Sequence, residues 1–209
     1  MATDTENLNN LDLTNLVCVF CGSSPGTSPS FMDAATQLGQ ELAHQGYGLV
    51  YGGGTRGLMG QVARSVQQNS APVLGIMPRA LMSVEGCADK IGRMLIVNNM
   101  HDRKSKMNEY ARAFIALPGG FGTLEELLEI ATWSMLSIHS KPVIVLNTNG
   151  YYEPLKNMVG QAVNGGFVSK DNSGIILFCD TAEEAVQAIK TYVPPDTRYG
   201  LDWTTKVDI

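Results

Sequence analysis

The sequence predicts an α/β protein with one domain, built as a doubly wound parallel sheet of the Rossmann-like kind. Short apolar runs of strand length recur along the 209 residues, each followed by a glycine-containing turn or an amphipathic stretch. Most of these runs are continuously hydrophobic, as strands covered on both faces are. Glycines gather where three of the runs end, which is where ligands bind in such sheets.

The expected strands are Leu16 to Phe20, Tyr47 to Tyr51, Pro72 to Ile76, Met94 to Val97, Ala113 to Leu117, Val143 to Leu146 and Ile175 to Phe178. Between the first two, Phe31, Ala35, Leu38 and Leu42 form one apolar helical stripe that starts at Pro29-Ser30 and ends near Gly46. Further helices are expected from Leu58 to Asn69, His101 to Arg112 and Thr123 to about Ser137. A last one begins at Asp180 or Thr181, where Thr181 and Glu184 have capping-box spacing, and stops before Pro194-Pro195. The expected division is a flexible N-terminal arm over 1–15, a nucleotide-type domain over 16–193 and a C-terminal tail over 194–209.

Composition excludes several functions. A net charge of −5 with 17% charged residues offers no positive field for a nucleic acid. No run is apolar enough to span a bilayer, and the polar start lacks a signal peptide's basic and apolar regions, so no membrane partner and a cytoplasmic setting are expected. Four cysteines in that setting read as reduced thiols. Cys18 and Cys21 form a C-x-x-C, but inside an apolar run and not at a helix start, so they read as core cysteines at a strand end. No His/Cys cluster has metal-ligand spacing, and neither a metal nor a cofactor is expected.

Three loops carry the chemistry. The first, Cys21-Gly-Ser-Ser-Pro25, offers the hydroxyls of Ser23 and Ser24 to a phosphate or ribose. The second, Tyr51-Gly-Gly-Gly-Thr-Arg-Gly-Leu-Met-Gly60, satisfies G-x-G-x-x-G, with Gly53, Gly54 and Met59 as its binding candidates. It does not read as a dinucleotide site, because it follows the second strand and the next strand brings no carboxylate for a ribose.

The third loop, Pro118-Gly-Gly-Phe-Gly-Thr123, turns directly into a helix, so glycine amides and the positive helix end converge on one point, as anion binding requires. No Gly-Lys-Ser/Thr follows, which excludes a Walker loop and makes triphosphates a poor fit. Glu125 and Glu126 fall in the expected first turn, with Leu124, Leu127, Leu128 and Ala131 inward. A carboxylate beside a phosphate is repelled by it, unless a cationic centre such as an oxocarbenium ion forms nearby during reaction. Arg103, in Met100-His-Asp-Arg-Lys104, is the candidate basic partner, suited to a bidentate grip and unsuited to donating a proton.

Together CGSSPG, YGGGTRGLMG, MHDRK, PGGFGTLEE and TWSMLSIHSKPV resemble the LOG family, the cytokinin riboside 5′-monophosphate phosphoribohydrolases, from about Val17 to Tyr192. The resemblance implies hydrolysis of the N-glycosidic bond of an N6-substituted AMP, or of AMP, by a homodimer acting on a small nucleoside monophosphate. It implies a catalytic pair at Arg103 and Glu126, selecting Glu126 over Glu125. It implies substrate contacts at Glu85, Lys104, Thr132 and the loop Gly120, Phe121, Gly122, Thr123, Leu124 and Glu125, which Gly119 precedes. Phe121 stands where a tyrosine is common in the family, and the segment around Glu85 is less typical of its plant members. The competing expectation is a nonenzymatic nucleotide or cofactor carrier on the same fold, since a phosphate cradle binds without needing chemistry.

Overall fold

The computed structural model describes residues 13–83 and 90–203. Most of the expected arm, the candidate Glu85, Cys87 and residues 204–209 lie outside the described residues. Seven strands form one sheet: β1 (Leu16–Phe20), β2 (Gly48–Tyr51), β3 (Val73–Pro78), β4 (Arg93–Val97), β5 (Ala111–Ala116), β6 (Val143–Leu146) and β7 (Ile176–Cys179). All neighbours pair in parallel, in the order β4-β3-β2-β1-β5-β6-β7. The chain therefore winds outward from β1 in one direction, then returns to β1's other side. Loops leaving β1 and β5 diverge there, opening a crevice at the carboxyl edge.

Among the described residues six α-helices cover the sheet: α1 (Pro29–His44), α2 (Gly57–Gln68), α3 (Met100–Tyr110), α4 (Phe121–Met135), α5 (Glu153–Asn164) and α6 (Ala182–Thr191). Leu38 and Leu42 of α1, Val62 of α2 and Val186 of α6 pack with Val17 and Val19 on one face. Met107 of α3 and Leu127 and Ile130 of α4 pack with Leu16, Cys18 and Phe20 on the other. Each such side chain contributes about 2 kcal/mol of burial. Because strand residues alternate faces, Cys18 and Cys21 point to opposite layers, consistent with core cysteines and not a dithiol. Burial first, then the Glu126 carboxylate, push both thiols well above the ordinary range.

Three expectations need correction. Helix α3 ends at Tyr110 and not at Arg112, because Ala111 already pairs with Leu16; the register shifts between Leu16 and Val17, and Arg112 is exposed there. Helix α4 begins at Phe121, two residues early, which puts Glu125 and Glu126 beyond its first turn, so helix-dipole complementation at the first turn does not account for them. Leu128 is not inward but 39% exposed. Helix α5 had no counterpart in the sequence reading, and none of its residues is fully buried. The capping box at Thr181 and Glu184 is present as expected.

Candidate active site

The crevice is assembled by backbone stitching between its loops. Gly22 N–H donates to Pro118 O at 3.0 Å, and Gly22 O accepts from Leu58 and Met59 N–H at 3.1 and 3.3 Å. One residue after β1 thus ties the loop of β5 to the start of α2. Behind it, the Tyr152 hydroxyl donates to Leu117 O at 2.7 Å and the Tyr151 hydroxyl to Gly119 O at 2.6 Å, fixing the turn that leads into α4.

Helix α4 opens with Gly120 as its N-cap and no side-chain cap. The amides of Phe121, Gly122 and Thr123 have no carbonyl acceptor one turn back, so they offer donors and a positive helix end to an anion. At Gly120 and Gly122 a Cβ would meet nothing within 4 Å. The loop faces open space at both positions.

A cavity of about 200 Å³ lies here, bounded by Ser23, Gly52, Met59, Met100, Arg103, Gly120, Gly122, Thr123, Glu125 and Glu126 among others. A second, of about 370 Å³, shares Gly22, Ser23 and Gly120 with it and extends past Ser24, Gly119, Phe31 and Tyr151. In the first cavity Arg103 and Glu126 face each other, Nη2 to Oε1, at 3.6 Å. Both are buried, at 6% and 9% exposure. Among the described residues the buried Nε–H of Arg103 has no acceptor, and Nη1 meets the Met100 thioether at 3.8 Å. Leaving buried guanidinium donors unmatched costs on the order of 1–3 kcal/mol, a cost that a ligand's oxygens would remove.

The other candidates divide. Lys104 bridges Glu125 and Glu129 at 2.5 and 2.9 Å; burial opposes its charge, yet the hydrogen bonds to those carboxylates hold its ammonium above the usual lysine range. Gly53 and Gly54 are buried and border neither cavity. Leu124 is half-buried against the core, while Phe121 projects outward at 94% exposure. Thr132 is exposed, donates to Leu128 O at 2.7 Å, and lines a separate apolar groove with Leu128, Met135 and Met158. Sequence reasoning left out Gly52, Met100 and Tyr151. Gly52 belonged to a motif already in view, whereas nothing local marks Tyr151, which arrives from after β6.

Fold and site define a class: doubly wound α/β proteins with an open glycine loop at a helix start and a buried arginine–carboxylate pair at the sheet's carboxyl edge. The chain belongs to the LOG family, that of the cytokinin riboside 5′-monophosphate phosphoribohydrolases. It is 46% identical over 187 residues to the enzyme of that name, LOG, from Oryza sativa subsp. japonica, covering 90% of this chain and 77% of the relative. It is 48% identical over 178 residues to LOG3 of Arabidopsis thaliana, covering 85% and 83%. A family profile described as "Possible lysine decarboxylase" matches residues 59–189. Amino-acid decarboxylation of the pyridoxal type needs a lysine for a Schiff base. Among the described residues no lysine borders either cavity, and Lys104 is held by two carboxylates, so the residues present do not fit that cofactor. Among solved structures, the Moco carrier protein of Chlamydomonas reinhardtii shares the fold alone, with a TM-score of 0.65 and 18% identity over 85% of this chain and 96% of that one.

Proposed function

We propose that this protein hydrolyses the N-glycosidic bond of cytokinin riboside 5′-monophosphates, releasing the free N6-substituted adenine and ribose 5-phosphate. The observation that carries the reading is the buried Arg103–Glu126 pair, 3.6 Å apart, in the cavity where the amide end of α4 opens. A phosphate held by the amides after Gly120 and by Thr123 would use remote binding energy to set the anomeric carbon beside Glu126. As the C1′–N9 bond breaks, positive charge develops on the ribose ring. The Glu126 carboxylate stabilises that charge and takes a proton from the water whose oxygen bonds to C1′. The unmatched donors of Arg103 orient the ribose or phosphate and stabilise charge on the departing side. The proton taken up by Glu126 passes, through solvent, to the departing base, so that one water is consumed: its hydroxyl on C1′ and its remaining hydrogen on the base.

The protein is proposed to act as a cytoplasmic homodimer, without nucleic acid or membrane. No helix among the described residues is long and apolar enough to cross a membrane. A dimer is supported by the groove between α4 and α5, where Leu128 and Met158 are 39% and 57% exposed. Thr132 opens onto that groove and not onto the cavity of its own chain.

The test is chromatography after incubation with isopentenyladenosine monophosphate, with AMP alongside. Free isopentenyladenine and ribose 5-phosphate are expected in equal amounts, faster than adenine from AMP. Binding with no base released at high protein concentration would instead favour a carrier.

A further inference from the structure

The G-x-G-x-x-G run after β2 looks like a ligand loop, yet its first glycine is turned toward the protein's own arginine. Gly52 follows Tyr51 at the carboxyl end of β2 and is buried. Its φ is not in the left-handed region, so the backbone there does not require glycine. Space requires it. A Cβ on Gly52 would fall on Nη2 of Arg103, and would lie 3.3 Å from both Cζ of Arg103 and Sδ of Met59. That Nη2 is the same nitrogen that faces Glu126.

We infer that Gly52 is a positioning residue for the proposed reaction: its missing side chain is the seat that holds the Arg103 guanidinium against Glu126. The inference rests on the proposed role of the pair, and it explains why a dinucleotide-type glycine lies beside a site that the dinucleotide reading does not fit. The neighbour that a methyl group would displace is the far end of a flexible side chain and not backbone. The fold can therefore absorb the change by swinging the guanidinium away, while the site loses its geometry. This separates Gly52 from Gly57 and Gly60 in the same run, whose added Cβ atoms would meet the backbone of Ser23 and of Thr55.

The experiment is a double-mutant cycle of Gly52→Ala with Arg103→Ala, read as base release from isopentenyladenosine monophosphate and as thermal melting. Gly52→Ala should lower kcat by about thirtyfold with a smaller change in KM. On the Arg103→Ala background it should lower kcat by less than twofold, because the group it displaces is gone. The melting arm needs no substrate, so it stands even if the proposed reaction does not. There, Gly52→Ala should lower Tm in the otherwise unaltered protein and leave it unchanged when Arg103 is alanine. Equal effects on both backgrounds, in rate or in Tm, overturn the inference, as does wild-type turnover by Gly52→Ala.

Discussion

After β2 the chain reads Gly52, Gly53, Gly54, and after β5 it reads Gly119, Gly120, Phe121, Gly122; both runs lead into a helix at the same edge of the sheet. In the first run, and at Gly57 just beyond it, the space beside three glycines is taken. Gly52 is filled by Arg103, Gly53, at φ +82°, has Met94 Sδ 2.9 Å from where a Cβ would be, and Gly57, at φ +54°, has Ser23 O and Ser24 N at 2.5 Å. In the second run Gly119 is filled by Thr123, but Gly120 and Gly122 face nothing within 4 Å. Glycine in one loop makes room for the protein itself. In the other it makes room for something that arrives. On the proposed reading the two loops therefore divide the work: the first builds the walls of the site and the second receives the anion.

The sharpest way to break this division is to fill each loop with a methyl group. Gly57→Ala meets both a left-handed backbone and the chain at Ser23, and should cost about 3 kcal/mol of stability, lowering Tm by roughly 6–12 °C. Melting within 2 °C of wild type would mean that α2 does not need to close on Ser23–Ser24. Gly122→Ala should behave in the opposite way. A methyl has room in the free protein and raises helix propensity, so stability should stay within about 1 kcal/mol of wild type. Calorimetric titration should nevertheless show AMP binding weakened about tenfold or more, equivalent to about 1.4 kcal/mol. Unchanged AMP affinity would deny the open loop its anion.

A smaller effect, outside both loops, calibrates the stability readout. His139 is buried, with Nε2–H donating to Ile130 O at 2.9 Å and Nδ1 accepting from Lys141 N–H at 3.1 Å. Burial first, and neighbouring Lys141 and Arg198 charges after it, lower its pKa to about 4, against the bond to Ile130. The unfolded chain takes up this proton below about pH 6.5 and the folded one does not until about pH 4. This contribution is thus complete above pH 6.5 and is lost as the pH falls through that window, by about 1 kcal/mol between 6.5 and 5.5. Melting curves of His139→Gln should be flatter over that unit. An equal slope in both proteins would assign the pH dependence to other groups.

Much of the architecture was legible because it rests on local patterns. Continuous apolar runs located all seven strands to within two residues at each end, and the carboxyl-edge crevice followed from their alternation with helices. Arg103 and the pair Glu125–Glu126 stood out because charged residues beside a glycine loop need a reason, and the family resemblance then selected Glu126. Less legible was everything that depends on a distant neighbour. Which glycines are filled is decided by Arg103, Met94 and Ser23, none of them adjacent in sequence. Helix α5 was overlooked although Leu155, Val159, Ala162 and Val163 recur at i, i+4, i+7 and i+8, an apolar stripe that the local pattern did offer. The segment after α6 gives no local sign that it returns to α4, where Tyr199 N–H bonds to Met135 O at 3.0 Å and the Trp203 indole to Leu136 O at 2.8 Å.

The division between receiving an anion and breaking a bond comes down to Glu126. The most direct measurement pairs AMP affinity with the single-turnover rate of base release from isopentenyladenosine monophosphate in Glu126→Gln. Affinity should stay within about threefold of wild type, while release falls by about 10³ or more, corresponding to about 4 kcal/mol of transition-state stabilisation. Release at a rate near wild type, with Glu126 amidated and AMP still bound, would contradict the account.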